Sequence, residues 1–108
     1  MSDTSERYKN WIVSTTPDPH YLKHFKRYPH HERYISEFES DVTSDPFWHP
    51  KKAKIVKIQR EVSRYPKGTY RWAKGKQLRI AYYPEKETHT IYPLDAYPAG
   101  SARYKKRG

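Results

Sequence analysis

The chain contains no cysteine, which excludes disulfide staples, thiolate metal ligands and cysteine nucleophiles. Doing without disulfides suits a reducing compartment. Glycine is scarce: 4 occur in 108 residues, and none has the spacing of a phosphate-cradling loop or a dinucleotide-binding turn. Nucleotide-driven chemistry and organic cofactors are therefore not expected. No apolar run approaches the roughly 18 residues needed to span a membrane, and the opening MSDTSERYKN has no apolar stretch of the kind a secretion signal uses. The expectation is a cytoplasmic protein with no membrane partner. Aliphatic residues are few as well. Hydrophobic residues make up 34% of the chain and aromatic ones 16%, so the core must rest on Tyr, Trp and Phe. This length is expected to give one domain over residues 1–108, with flexible ends at 1–7 and 98–108.

What the chain does have is positive charge, and it is unevenly placed. The formal net charge is +10. Residues 1–50 hold 6 Lys/Arg against 8 Asp/Glu, a net −2, whereas residues 51–108 hold 16 against 4, a net +12. A segregated cationic excess of this kind suits a phosphate backbone, because each phosphate neutralised by a protein cation releases condensed counterions.

Along the chain the apolar period changes once. Tyr8, Trp11, Ile12 and Val13 form a short aromatic and β-branched run suited to a strand. Asp18-Pro19 reads as an N-cap followed by a first helical residue, and Tyr21, Leu22, Phe25 and Tyr28 then recur at helical spacing up to Pro29. From His30 a second stripe, Tyr34, Ile35, Phe38 and Val42, runs to the stop at Asp45-Pro46. Pro46 to Pro50 is expected to be a loop that folds Phe47 and Trp48 back onto these helices. After Lys51 the pattern turns to strands, around Ile55 to Ile58, Thr69 to Ala73, Gln77 to Tyr83 and Thr88 to Leu94, with hairpin-length connections between the last three. Pro93 in the last of these implies an edge or a strand end. The fold class read from this order is α+β: an N-terminal strand and a two-helix hairpin packed on a small antiparallel sheet.

This order, with the stop Asp45-Pro46, the stretch Pro66-Lys67-Gly68-Thr69-Tyr70-Arg71-Trp72 and the strand Leu78-Arg79-Ile80-Ala81-Tyr82, resembles the RelE/ParE toxin superfamily over roughly residues 10–97. The resemblance implies a RelE-like fold and a toxin of a type II toxin-antitoxin pair. Its activity would be ribosome-dependent cleavage of messenger RNA without a metal, its partners RNA, the ribosome and a cognate antitoxin. Residue by residue, Arg71 and Arg79 fall on the positions where such toxins place cations near the scissile phosphate, and Arg79 is the better matched. Tyr104 falls near the C-terminus where some members place a stacking or proton-transferring tyrosine. The basic residue expected just after the last strand is replaced here by Tyr97, Pro98 and Ala99.

Metal-free cleavage requires an activated 2′-hydroxyl, a stabilised in-line phosphate and a protonated leaving oxygen. Arg71 and Arg79 supply always-charged planar donors for the phosphate. His89, expected on the last strand, is the general-base candidate because its ordinary pKa lies near neutrality. The four catalytic candidates are thus Arg79, Arg71, Tyr104 and His89. Lys67, Lys74, Lys76, Tyr83, Tyr97, Arg103, Lys105 and Lys106 complete the expected RNA-binding set as cations and stacking rings. His20 and His24 lie four apart and His30-His31 are adjacent, but no carboxylate completes a ligand motif, so no metal site is expected. Two further functions fit the same residues: a binding module of this fold without catalysis, and a ParE-like inhibitor of DNA gyrase.

Overall fold

The computed structural model describes residues 11–47, 55–57 and 65–99. The first helix, α1 (Pro19–Arg27), begins as the sequence predicts. Asp18 is extended and its Oδ1 accepts from the His20 amide at 2.9 Å, while Pro19 fills the first helical position, where no N–H is needed. The same residue ties the helix to the sheet, its own N–H donating to Pro93 O at 3.0 Å. Asp18→Ala is therefore expected to cost about 1 kcal/mol in chemical denaturation, the usual loss for an N-cap; a loss under a few tenths would show the cap to be idle.

The second helix departs from the single stripe expected from His30. Pro29–Tyr34 winds as a 3-10 segment, and the α-helix proper, α2, is Ile35–Ser44. Pro29 cannot donate into the ladder of α1, so the chain breaks after Tyr28, and the His31 amide restarts it on Tyr28 O at 2.9 Å.

Five strands follow among the described residues: β1 (Ile12–Val13), β2 (Ile55–Lys57), β3 (Tyr70–Lys74), β4 (Leu78–Glu85) and β5 (Thr90–Pro98). Their spatial order is β1-β5-β4-β3-β2. The expectation of an antiparallel sheet holds for β2 to β5, but β1 joins as a parallel edge strand, pairing Ile12 with Thr90 and Val13 with Ile91. The sheet is mixed because the chain passes through both helices before returning beside β1. Pro93 lies inside β5, past the short pairing with β1 at Thr90 and Ile91, so that among the described strands it has a ladder partner on the β4 side only, the edge position expected of a proline. Ala81 pairs with Asp95 and Tyr82 with Pro93, leaving Leu94 as an extra residue. A bulge tolerates a proline that a regular interior ladder would not. Pro98 still pairs with Leu78, and the Ala99 amide donates to Gln77 O at 3.1 Å, so the ordered chain extends past the boundary expected at residue 98.

Alternation on β3 and β4 turns Trp72, Leu78, Ile80 and Tyr82 to one side, all fully buried with Phe38 and Val42 of α2 and with Ile55 and Ile91. Phe38 sits edge-on to Trp72 at 5.5 Å and to Tyr82 at 5.9 Å. The polar tips are placed as well: Trp72 Nε1 donates to Asp41 Oδ2 at 2.8 Å and Tyr82 Oη to Pro46 O at 2.9 Å. Phe47 folds back as expected, but onto Trp11 beside β1 and Tyr70 of β3, with centroids at 5.6 and 5.7 Å, and not onto the helices. Trp48 lies outside the described residues.

Candidate nucleic-acid face

The other side of the sheet carries the candidate chemistry. Arg71 pairs with Ala81 and Ala81 with Asp95; beside that row Ala73 pairs with Arg79 and Arg79 with Tyr97. The period of two places all six on the face away from Trp72 and Ile80. Two of the six are alanines, and their short side chains leave room for the long arginines to lie across the strands. Arg71 of β3 accordingly hydrogen-bonds Tyr97 of β5, spanning β4 between them.

Tyr97 is 4% exposed. Burial pushes its phenol above the ordinary tyrosine range, against the pull of the Arg71 charge and hydrogen bond and of the Arg79 charge, with Asp95 adding to the rise. The net direction is upward, so at neutral pH Tyr97 is a proton donor and not a base. Asp95 is 1% exposed and accepts from Tyr65 Oη at 2.8 Å. Tyr65 is itself buried. A buried carboxylate and two phenols therefore sit among two guanidinium-bearing side chains.

Arg79 is held more tightly than a simple surface cation. Its Nη1 donates to Gly75 O at 2.7 Å and to Leu78 O at 3.1 Å, folding the side chain onto the β3–β4 turn. Gly75 takes φ +51 at that turn. The guanidinium is a planar fork with further N–H groups directed elsewhere, so anchoring one nitrogen orients the rest.

The remaining sequence candidates fall in several places. His89 is not on the last strand: it occupies the β4–β5 turn with φ +52 and stacks on Trp11 at 4.9 Å. The four-residue turn displaces it: Glu85, where the turn begins, lies six strand steps from Arg79, about 20 Å at the usual rise, and four from Ala81, the partner of Arg71, about 13 Å. Lys74 lies on the helix side, where its Nζ meets Glu37 Oε1 at 2.8 Å and stands over the Tyr34 ring at 5.5 Å. Its alternation on β3 is opposite to that of Arg71. Lys67 and Lys76 are exposed in the turns before and after β3, and Tyr83 is half-buried on β4 beside Gly68. Gly68 takes φ +92, and a Cβ there would stand 3.4 Å from the Tyr83 ring. Tyr104, Arg103, Lys105 and Lys106 lie outside the described residues.

Sequence reasoning missed Asp95 and Tyr65. Asp95 did carry a signal, being the sole carboxylate between residues 88 and 108, set among apolar strand residues. Tyr65 carried none, because its partner is 30 positions away. Comparison of the chain with family models, with curated proteins and with solved structures gave no match.

Proposed function

We propose that this chain is a ribosome-directed messenger-RNA endonuclease of the RelE/ParE type, the toxin of a type II toxin-antitoxin pair, with Arg71, Arg79 and Tyr97 at its centre. One observation carries the reading: two arginines from different strands share a face with a buried tyrosine that is held protonated. Arginines so placed stabilise the charge that grows on the phosphate as the 2′-oxygen attacks, and a protonated phenol can give its proton to the departing 5′-oxygen. The 2′-hydroxyl proton passes to solvent water and Tyr97 regains its proton from solvent, so the cyclic phosphate and the new 5′-hydroxyl balance the step. Ribosome-bound message incubated with the protein and mapped by primer extension tests this reading. Discrete new 5′ ends that require the ribosome support it, and intact message at stoichiometric protein overturns it.

A second reading, an RNA- or ribosome-binding module without catalysis, is favoured by the placement of His89. That ring stands at the far end of β4, about 20 Å along the strand from Arg79, Tyr97 is raised above its ordinary range, and the Asp95 carboxylate on this face is buried and already accepts from Tyr65. Intact message with retained ribosome binding would select it, and inhibition of gyrase without any RNA binding would select the ParE-like alternative. Under either RNA reading, affinity should fall steeply with salt. Neutralising six phosphates lowers the binding constant by roughly three orders of magnitude between 50 and 200 mM salt, measurable by fluorescence anisotropy on labelled RNA. An affinity indifferent to salt removes the electrostatic basis of both. The antitoxin fitting this face would be an acidic or amphipathic segment that orders on binding.

A further inference from the structure

Away from that face, α1 and the 3-10 segment bury two histidines against each other. His24 Nε2 and His31 Nδ1 are 2.9 Å apart, and each residue is 6% exposed. Tyr28, at the break between the two elements, stacks on both rings, with centroids at 4.8 and 5.6 Å. Phe25 stands edge-on to His24 at 4.9 Å, and His30 lies tilted against His31 at 4.4 Å. Among the described residues no group of three or more His, Asp or Glu is arranged to hold a metal ion.

A hydrogen bond between imidazoles needs one N–H and one lone pair. A neutral or singly protonated pair supplies both. A doubly protonated pair presents N–H to N–H, which removes the bond and sets two cations in contact in a site closed to water. We propose that His24 and His31 form an acid-released latch, which fastens the end of α1 to the 3-10 segment at neutral pH and opens as the pair is driven towards double protonation.

Among the described residues, the charges around the pair favour release. On α1 the charged neighbours are Lys23, Lys26 and Arg27, all exposed and cationic; on the 3-10 segment they are His30, Arg33 and the exposed Glu32. Of the acids of α2, Glu37 meets Lys74, Asp41 accepts from Trp72, and the charge of Glu39 acts on Tyr21. On β5, Asp95 and Tyr97 lie on the far face of the sheet, and Tyr92 is exposed. His31 is held below the ordinary histidine value of 6.5 by burial first, then by the His30 and Arg33 charges. A base depressed in the folded state is protonated more readily in the unfolded one. Stability is therefore full above about pH 6.5 and is lost as pH falls through that value, by up to about tenfold in the folded-to-unfolded ratio per pH unit.

The test is hydrogen exchange and ring nitrogen spectroscopy on the full chain between pH 7.5 and 5.5. The Tyr28 amide, bonded to His24 O, and the His31 amide, bonded to Tyr28 O, should lose about tenfold in protection factor on acidification, while amides of β4 keep theirs. The His24 and His31 rings should keep one neutral, tautomer-fixed imidazole down to about pH 6, below the ordinary histidine value of about 6.5. His31→Gln retains a hydrogen-bonding side chain that cannot titrate and should abolish the pH dependence of protection. If that variant does not fold, the wild-type ring spectra decide alone. Both buried rings fully protonated at about pH 6.5, or protection at Tyr28 and His31 unchanged between the two pH values, would overturn the latch.

Discussion

Trp72→Ala is expected to lower stability by about 3–5 kcal/mol, the usual range for emptying a large buried aromatic site. Trp72 is fully buried on β3, receives the edge of Phe38 and donates to Asp41 of α2, so its loss opens a cavity between sheet and helix and removes a bond that joins them. A domain of this size commonly has only about 5–15 kcal/mol in total, and the variant should therefore approach unfolding at 37 °C. Trp72→Phe separates the two contributions: it keeps most of the ring volume, lacks the N–H, and should cost about 1–2 kcal/mol. Urea denaturation of both variants is the measurement. An alanine variant that loses less than 1 kcal/mol would mean the sheet and α2 are not coupled through this ring.

Arg71→Ala is expected to slow ribosome-dependent cleavage by about two orders of magnitude, since one preorganised cationic donor to a transition-state phosphate is commonly worth about 3 kcal/mol. Arg79→Ala should match or exceed this loss, through its own charge and through the turn at Gly75 and Leu78 that its side chain braces. The two differ in a second readout. Arg79→Ala should also lower thermal stability, whereas Arg71→Ala should leave the β3–β4 turn intact. Lys86→Ala is the control, because that exposed lysine sits in the β4–β5 turn over Phe47, at the other end of the strand from Arg79. Single-turnover rates on programmed ribosomes measure all three. Wild-type rates in both arginine variants would remove these side chains from the chemistry.

The architecture was largely legible because its signals are local. Asp18-Pro19 caps a helix through atoms two residues apart, and the change of period after Lys51 records which side of each strand is buried. The alternation of Tyr70, Arg71 and Trp72, set beside that of Leu78, Arg79 and Ile80, likewise places Arg71 and Arg79 on one face. What stayed hidden depends on distant partners. The parallel seat of β1 beside β5 joins residues almost 80 positions apart, and no local pattern distinguishes it from an antiparallel edge. His89 has a strand-like neighbourhood, but a left-handed backbone and a stack on Trp11 hold it in a turn. The engagement of Lys74 by Glu37 and the buried Tyr65–Asp95 pair require two chain segments to be brought together first.

The pairing of Ile12 with Thr90 also sets an order of events during synthesis. A chain that emerges from its N-terminus exposes Trp11 and Ile12 long before the strand that receives them exists. At about 5–20 residues per second the wait is roughly 4–16 s. Contacts of such sequence separation raise the contact order and slow closure further, so the sheet is completed only after β5 has emerged. The face bearing Arg71, Arg79 and Tyr97 needs β3, β4 and β5 together. Whatever that face does, the nascent chain cannot do it before β5 has been made.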